Sequence, residues 1–413
     1  MACSAALSLA AGCTGDTAGP SPSTPTASAP VGSDGPRPVA VQAAPPAEPT
    51  NGAVFPEEFG AAGDGISDDT AAMQAAVDTA AERGARLVLG EDRTYVLTGS
   101  IELPSGTFVT GAGSSSVLQF TWRFNDPEHD GFYVGNRDQT GEGNTDITLQ
   151  RFAIRGAAPG TPAGPKELLT KPNVPAVRFR LVDRFRISNL DIGYAPGISI
   201  IHQGCSNGVI AENNIHHSGR DGINSTWHHR NMHDILIADN VITKVGDDAV
   251  AVIGAPGEAV NRQALPYRIV VEDNVVRGWP SNVNGLALGR GISVLAASRV
   301  RLEGNVIMRT HSAGILVSPS TRPFSTDPRT GEPWRSSRIQ IVENRVVDAG
   351  QNFVGTDPAV DPPKHDGIVI KESDHVWLSR NTVIRPYGEE VTLLDCRRCT
   401  HDTGTTADEK VLP

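Results

Sequence analysis

Aromatic residues are scarce in this sequence, at 5% of 413 residues, whereas hydrophobic residues as a whole make up 38%. A core must therefore be built mainly from Val, Ile, Leu and Ala. Together with 43 glycines, this composition favours β structure with many tight turns. Clustered basic residues are also lacking, and the formal charge is -11. This argues against nucleic acid as the partner, because binding to phosphates needs grouped Lys and Arg.

Cysteine is rare as well, with five residues in the chain. The single C-x-x-C motif, Cys396 and Cys399, has no second pair of ligands nearby, so the sequence does not predict a zinc site. A local disulfide and a reduced pair both remain open. We expect no metal and no cofactor.

The N-terminus carries an apolar segment too short to span a membrane. Residues 1–13, "MACSAALSLAAGC", resemble the tail of a bacterial lipoprotein signal, and the resemblance implies lipidation of Cys13. A truncated or misassigned start is the alternative. Residues 14–50 are rich in Pro, Ser, Thr and Ala and are predicted to be a disordered tether, while 401–413 are predicted to be a flexible tail. We therefore expect an extracellular protein that is secreted or anchored to a bacterial surface.

Residues 51–400 contain one helical pattern, followed by many short strands. The helix is predicted over 68–83, with Ser67 or Asp68 as its N-cap and Gly84 at its end. From about residue 180 a unit repeats, marked by asparagines at 189, 214, 240, 274, 305, 344 and 381. Alternating apolar residues precede most of these asparagines, and a run such as "GISV" follows them. The pattern predicts an all-β fold: a right-handed parallel β-helix, a single solenoid capped by the N-terminal helix.

Charged residues recur at one position of this repeat, directly before the apolar run. Asp221, Asp248 and Arg290 hold that position in consecutive repeats, and Asp247 lies beside Asp248. Equivalent positions in adjacent rungs stack about 4.8 Å apart, so we expect Asp221 to lie next to Asp247 or Asp248. Repulsion should raise one carboxyl pKa while its partner stays ionised, as glycoside cleavage requires. Aspartates that merely fill polar turns are the structural alternative.

Two stretches carry a family resemblance. The entry segment "FGAAGDGISDDTAAMQAAVDTA" resembles that of the pectate lyase and polygalacturonase superfamily of right-handed β-helices. The series "RDGIN", "VGDDAVAV" and "GRGISV" resembles the aspartate motifs of polygalacturonases, and also those of β-helical dextranases and α-glucanases. The resemblance implies that Asp221, Asp247 and Asp248 are catalytic and that hydrolysis proceeds with inversion. Arg290 stands where galacturonan hydrolases have histidine, and the next rung lacks their R-I-K motif, so the sugar is left open.

Other residues near this position are candidates for substrate contact through charge, hydrogen bonding or aromatic stacking. They are Arg290, His217, Asn224, Trp227, His228, Lys244, Trp279, His311, Asp366 and Lys371. Asp366 belongs to a rung about 14 Å from Asp248, so we interpret it as a distal subsite.

The sequence supports three functions. The first is a monomeric, exported glycoside hydrolase whose partner is a polysaccharide or oligosaccharide. The second is a polysaccharide lyase or epimerase acting on a uronic-acid polymer, with Lys244 or Arg290 as base and Ca²⁺ to neutralise the acid. The third is a non-catalytic carbohydrate-binding protein of the cell surface.

Overall fold

The computed structural model describes most of the chain in nine stretches. They are residues 36–121, 131–156, 174–227, 230, 232–254, 265–278, 289–320, 331–350 and 366–402. The predictions for Cys13, His228 and Trp279, for the segment 1–13, and for residues 14–35 and 403–413 concern residues outside these stretches.

The described strands form three parallel sheets. Sheet A consists, in spatial order, of β1 (Ala53–Val54), β3 (Arg86–Val88), β6 (Phe108–Thr110), β9 (Asn144–Gln150), β12 (Val182–Ser188), β15 (Ser206–Ala211), β18 (His233–Ala238), β21 (Tyr267–Glu272), β24 (Ser298–Glu303), β27 (Ser337–Val342), β30 (Asp374–Ser379) and β33 (Thr400–His401). Sheet B consists of β2 (Asp64–Asp68), β4 (Arg93–Leu97), β7 (Ser116–Phe120), β10 (Ala153–Arg155), β13 (Asp191–Gly193), β16 (Asn214–Ser218), β19 (Val241–Val245), β22 (Val275–Arg277), β25 (Val306–Met308), β28 (Arg345–Val347) and β31 (Thr382–Ile384). Sheet C consists of β5 (Ile101–Leu103), β8 (Val134–Asn136), β11 (Val177–Arg180), β14 (Ile200–Gln203), β17 (Ile223–Thr226), β20 (Val250–Ile253), β23 (Ile292–Leu295), β26 (Ile315–Ser318), β29 (Ile368–Lys371) and β32 (Val391–Leu394).

This topology confirms the predicted parallel β-helix. Each rung contributes one strand to A, then one to B, then one to C, and each strand pairs with its equivalent in the next rung. Alternate side chains point inward, so Ile223, Val250 and Ile292 of sheet C stack in register and are fully buried. Similar aliphatic rows from all three sheets fill a continuous core.

The predicted helix is present as α1 (Thr70–Arg83), and its apolar face covers the N-terminal end of the solenoid. Met73, Val77 and Ala80 are buried in the core, as their spacing predicts. Gly84 adopts a left-handed conformation with φ 58 and ends the helix. The predicted start is wrong by two residues, because Asp68 belongs to β2 and hydrogen-bonds to Thr70, leaving Asp69 as the N-cap residue.

The asparagine ladder lies at the turn between sheets A and B. Each ladder side chain donates from Nδ2 to Oδ1 of the next, at 2.9–3.0 Å, along Asn213, Asn240, Asn274, Asn305, Asn344 and Asn381. Asn189 and Asn214, which also mark the repeat in the sequence, lie outside the ladder: Asn214 begins strand β16 on the surface, and Asn189 pairs with Glu212. The left-handed residue of these turns is the one that precedes the ladder asparagine, such as Glu212 with φ 59.

The connections between strands differ in length from one corner of the solenoid to the others. From β9 onward, the turn from sheet A to sheet B always has two residues. The long connections, 121–133, 156–176, 254–266, 278–291, 319–336 and 348–367, all join sheet C to a neighbouring sheet. Insertions in a solenoid tend to gather on its binding face, so the outer face of sheet C is the candidate groove.

Residues 37–48 lie against the β-helix, where the sequence predicted a disordered tether. The side-chain amide of Gln340 donates to the carbonyl of Arg37 and accepts from the backbone N–H of Val39. Further along, the N–H of Gln42 donates to Asp234. We call residues 37–48 the N-terminal strap. It belongs to the same compact unit as the solenoid.

Two further features complete the fold. Cys396 and Cys399 form a disulfide near the C-terminal rung, which settles the alternative that the sequence left open. Among the described residues, no helix is both long enough and apolar enough to cross a membrane.

Candidate active site

The register of sheet C decides which aspartates face each other. Ile223 pairs with Val250, and Val250 with Ile292. Counting back two residues from each places Asp221, Asp248 and Arg290 in line, at the turn where sheet B leads into sheet C. Asp248, rather than Asp247, therefore occupies the position equivalent to Asp221.

The three carboxylates come together as predicted. One carboxylate oxygen from each of Asp221, Asp247 and Asp248 lies within 4.8 Å of the other two. The backbone N–H of Asp248 donates to Oδ1 of Asp221 at 3.2 Å. The side-chain amide of Asn224 donates to Oδ2 of Asp221, and the hydroxyl of Thr226 donates in turn to Oδ1 of Asn224.

Arg290 provides the principal positive charge at the cluster. Its Nε lies 2.5 Å from Oδ1 of Asp248, and the hydroxyl of Ser293 donates to Oδ2 of the same carboxylate at 2.5 Å. Asp247 is held more loosely, 3.6 Å from Arg290 and 3.9 Å from Arg220. Oδ1 of Asp247 is buried and accepts no hydrogen bond among the described residues, so a ligand can reach this carboxyl only at its other oxygen.

Exposure distinguishes the three aspartates, and burial and electrostatic repulsion raise the pKa of two of them. Asp221 and Asp248 are 3% and 2% exposed, whereas the side chain of Asp247 is 19% exposed. Burial and the charge of Asp248 raise the pKa of Asp221 to about 6. Burial, followed by the charges of Asp248 and Asp221, raises the pKa of Asp247 well above its usual value. Asp247 thus combines a raised pKa with partial exposure, the two properties that a general acid needs.

The same cluster offers the oxygen ligands that Ca²⁺ prefers. However, the guanidinium groups of Arg290 and Arg220 already lie beside these oxygens and compensate their charge. A divalent cation would have to compete with both arginines. The residues therefore fit an acid–base site better than a metal site.

A second polar group lies at the end of sheet B. Tyr194, His217 and Lys244 hold equivalent positions in three successive rungs, all with left-handed backbone. His217 stacks on Tyr194 at a centroid distance of 4.8 Å, and its Nε2 lies 3.5 Å from Nζ of Lys244. Burial, then the charges of Lys244 and His216, lower the pKa of His217. A neutral imidazole in this position is a potential proton acceptor.

The other predicted contact residues have varied environments. Asn224 is 2% exposed, so it acts on Asp221 and has little surface for a sugar. His311 is buried in the turn one rung beyond Arg290, where its backbone N–H donates to the carbonyl of Gly289. Trp227 follows β17 at the opposite edge of sheet C from the aspartates.

Asp366 and Lys371 lie in the rung of β29, three rungs beyond Asp248. Asp366 is 4% exposed, and its oxygens accept hydrogen bonds from the N–H of Glu389 and the hydroxyl of Thr392. This side chain joins two rungs and has little surface for a ligand. Lys371 is the better candidate for substrate contact, because its side chain is 48% exposed, although it also pairs with Glu372 at 3.7 Å.

Three residues of this region, Arg220, Ser293 and Tyr194, were not predicted from the sequence as part of the site. Arg220 aligns with Asp247 because it directly precedes Asp221. Ser293 reaches Asp248 because it lies three residues after Arg290. Tyr194 could have been found only by placing it in register with His217, since the glycine-rich segment around it hides the repeat.

Comparisons with known proteins agree with the fold. A family model described as "Right handed beta helix region" matches residues 176–400. A second, "Rhamnogalacturonase A/epimerase, pectate lyase-like", matches residues 56–254. Together they confirm the right-handed parallel β-helix and the resemblance to pectate lyases and polygalacturonases.

Individual relatives match parts of the chain. Mannuronan C5-epimerase AlgE6 of Azotobacter vinelandii is 28% identical over 188 residues, covering 40% of this chain and 19% of that protein. Depolymerase 1, capsule KN3-specific, of Klebsiella phage KN3-1 is 34% identical over 125 residues, covering 26% of this chain and 15% of that protein. The chain thus spans less than a fifth of either relative. The Family 28 exopolygalacturonase of Yersinia enterocolitica shares the fold, with a TM-score of 0.55 and 12% identity, over 85% of this chain and 78% of that one.

Proposed function

This chain belongs to the right-handed β-helix family, and on that premise we propose that it is a glycoside hydrolase that cleaves a polysaccharide bound along sheet C. The observation that carries the proposal is the cluster of Asp221, Asp247 and Asp248, with oxygens within 4.8 Å and only Asp247 partly exposed. The cluster lies at one edge of sheet C, the sheet that the long connections enter or leave. A phage capsule depolymerase and a mannuronan epimerase among the relatives support a polysaccharide substrate.

The proposed roles follow from exposure and charge. Asp247 donates its proton to the glycosidic oxygen as the bond from that oxygen to the anomeric carbon breaks. A water molecule attacks that carbon and gives a proton to Asp221, which is ionised above about pH 6. Asp248, paired with Arg290, keeps the pKa of Asp247 high and so keeps its proton available. The acid and base are restored when one proton passes from Asp221 back to Asp247.

Burial and spacing favour different stereochemical outcomes. Carboxyl groups of inverting enzymes are typically about 6.5–9.5 Å apart, and those of retaining enzymes about 5–5.5 Å, so a spread of 4.8 Å suggests retention. A retaining enzyme, however, needs a second carboxylate that touches the anomeric carbon. Asp221 and Asp248 are almost fully buried and engaged by donors, so we give more weight to burial and propose inversion. NMR of the first product formed should show the inverted anomer, and a covalent glycosyl–enzyme intermediate would contradict it.

The deciding experiment compares Asp247→Asn with wild type on a panel of polysaccharides, with products identified by mass. We expect a loss of at least about 100-fold in kcat, because removing a general acid typically costs 10²–10⁴-fold. Asp348→Asn is the matched control, since the side chain of Asp348 is 17% exposed and pairs with Arg385 away from the cluster. Full activity of folded Asp247→Asn would overturn the proposal.

A second candidate function is that of a lyase or epimerase on a uronate polymer. It is favoured by the group of Tyr194, His217 and Lys244, in which a neutral His217 could abstract a proton. A lyase makes an unsaturated product that absorbs in the ultraviolet, and an epimerase changes the sugar composition without shortening the chain. If either product appears and His217→Ala abolishes it while Asp247→Asn does not, this candidate replaces the first.

A substrate of this kind lies outside the cell. We therefore retain the proposal that the protein is exported and held at the surface through Cys13. Mass spectrometry of the membrane fraction, compared with a Cys13→Ser variant, tests that attachment.

A further inference from the structure

A column of charged residues runs along the first edge of sheet A, where the chain enters from sheet C. The strand registers place nine residues at equivalent positions in successive rungs: Asp146, Arg184, Asn207, Asp234, Arg268, Arg299, Arg338, His375 and Arg398. All except Asn207 are ionisable, and all nine have a left-handed backbone.

The first five positions of this column are electrically balanced. Arg184 pairs with Asp146 one rung before it, through both Nε and Nη2. Arg268 pairs in the same way with Asp234, again one rung before it. Opposite charges in adjacent strands stabilise a sheet, so this part of the column has a structural explanation.

The last four positions lack such balance. Arg299, Arg338, His375 and Arg398 are exposed, and we call them the basic column. Arg299 and Arg338 have no carboxylate within ion-pairing distance among the described residues. His375 and Arg398 contact each other at 3.1 Å.

The carboxylates nearest in sequence do not compensate the basic column. Asp374 and Asp395 are both bound by Arg335, at 3.2 and 2.8 Å. Like charges that face each other across adjacent strands destabilise a sheet. This arrangement therefore lowers stability in a protein whose formal charge is -11, and nothing in the fold itself requires it.

We propose that the basic column is a second, non-catalytic binding site for one anionic polysaccharide strand lying parallel to the solenoid axis. Its four residues span about 14 Å at the rung spacing. The three arginines offer positive charge to a polymer with a regular negative charge, and His375, which contacts Arg398 through Nε2, adds a polar ring between them. The column borders the corner at which the chain passes from sheet C, the candidate groove face, into sheet A. The inference rests on the proposed function and adds that the polysaccharide is anionic.

The surroundings favour an extended glycan over a nucleic acid duplex. At the opposite edge of sheet A, the same rungs carry Gly304, Glu343 and Arg380, and Glu343 pairs with Arg380. The uncompensated positive charge therefore runs in a single line, which fits one extended strand, whereas a duplex would also cover an edge that offers no uncompensated positive charge. The basic residues look scattered in the sequence, and only the register of the rungs brings them together.

The test measures binding rather than turnover, in full-length protein carrying Asp247→Asn so that no probe is cleaved. Binding of polygalacturonate, alginate, neutral dextran and a single-stranded oligonucleotide is compared before and after the change Arg299→Gln with Arg338→Gln. We expect at least tenfold weaker binding of one anionic glycan and a shallower salt dependence, because fewer counterions are released. Dextran binding should not change.

The matched control is Arg277→Gln with Arg345→Gln. These arginines are exposed on sheet B and, like Arg299 and Arg338, have no ion-pair partner among the described residues. An equal loss in this control, or none in the Arg299 and Arg338 variant, overturns the proposal. Tighter binding of the oligonucleotide than of every glycan overturns the choice of partner. Turnover by the otherwise wild-type protein is scored separately, so a failure of this site and a failure of the proposed hydrolase are distinguishable.

Discussion

The backbone N–H of Asp248 donates a hydrogen bond to Oδ1 of Asp221 across two adjacent rungs, at 3.2 Å. The two side chains are therefore held together by the winding of the main chain, although 26 residues separate them in the sequence. Burial, followed by the negative charge of Asp248, raises the pKa of Asp221 to about 6. The site thus keeps an ionised carboxylate where the fold would be more stable with a neutral one.

This strain predicts that Asp221→Asn stabilises the protein at neutral pH. A carboxyl whose pKa is higher in the folded state than in the unfolded state favours folding at low pH, and that advantage is lost as pH rises from about 4 to about 6. The penalty above pH 6 is on the order of 2–3 kcal/mol. Thermal unfolding of Asp221→Asn should therefore be shifted upward at pH 7.5 and unchanged at pH 4.

Asp234→Asn serves as the control for this prediction. Burial tends to raise the pKa of Asp234, but hydrogen bonds from Arg268 and Gln42 outweigh it and lower the pKa to about 2. Its substitution should be destabilising at pH 7.5, the opposite sign. If Asp221→Asn also lowers the unfolding temperature at pH 7.5, then Asp221 is a stabilising turn residue, and the argument for a strained carboxylate fails.

Removing Arg290 should make the cluster strongly pH-sensitive. In Arg290→Gln the three carboxylates lose their main compensating charge, so the pKa values of Asp221 and Asp247 rise further. The variant should be destabilised by about 1–3 kcal/mol at pH 7.5 and should recover most of this at pH 4.5, where Asp221 and Asp247 are protonated. Arg268→Gln, which removes the partner of one carboxylate only, should recover less. Equal behaviour of the two variants in unfolding experiments across pH would contradict the coupling of the three acids.

Thr226 is predicted to position the site through Asn224. Its hydroxyl donates to Oδ1 of Asn224, which leaves the amide N–H₂ directed at Asp221. Thr226→Val removes this constraint, so the pKa of Asp221 should rise and the acidic limb of the kcat profile should move to higher pH. Thr226→Ser keeps the hydroxyl and should restore the profile. If both variants give the wild-type pH profile, the contact has no role in setting the protonation of Asp221.

The repeat explains why so much of the site was visible in the sequence. Alternation of apolar residues fixes which side chains face inward. The repeated pattern of a charged residue before an apolar run is enough to align Asp221 with Asp248 and Arg290. Local cues were less reliable: the ladder residue is Asn213 rather than Asn214, because the ladder position directly follows the left-handed turn residue, Glu212. Outward-facing residues that become neighbours in adjacent rungs, such as Arg299 and Arg338, carry no periodic signal of hydrophobicity and are recognised only from the strand register.

For the N-terminal strap, amino-acid composition predicted a disordered tether, whereas the segment lies against the β-helix. A segment rich in Pro and Ala cannot build a core, but it can cover one, and Val39, Val41 and Ala43 alternate with more exposed neighbours as in an extended strand. The strap passes from Gln340 to Asp234, over rungs in which outward-facing Val270 is only 5% exposed. Its sequence signal, three small apolar residues at a spacing of two, is too short to stand out from the proline-rich surroundings.

Replacing Val39 and Val41 together by Asp should detach the strap from sheet A. Two half-buried valines would become charges beside apolar surface, and we expect a loss of about 1–3 kcal/mol in the free energy of unfolding, since fully burying one such side chain contributes about 1.5–3 kcal/mol. Hydrogen exchange should rise in strands β18, β21, β24 and β27, over which the strap passes, while exchange in sheet C and turnover should not change. Replacing Ala40 and Ala44 by Asp, at exposed positions of the same strap, adds the same charge and should have little effect. If the two double variants exchange alike, the strap does not cover sheet A in solution, and residues 37–48 belong to the tether as their composition suggests.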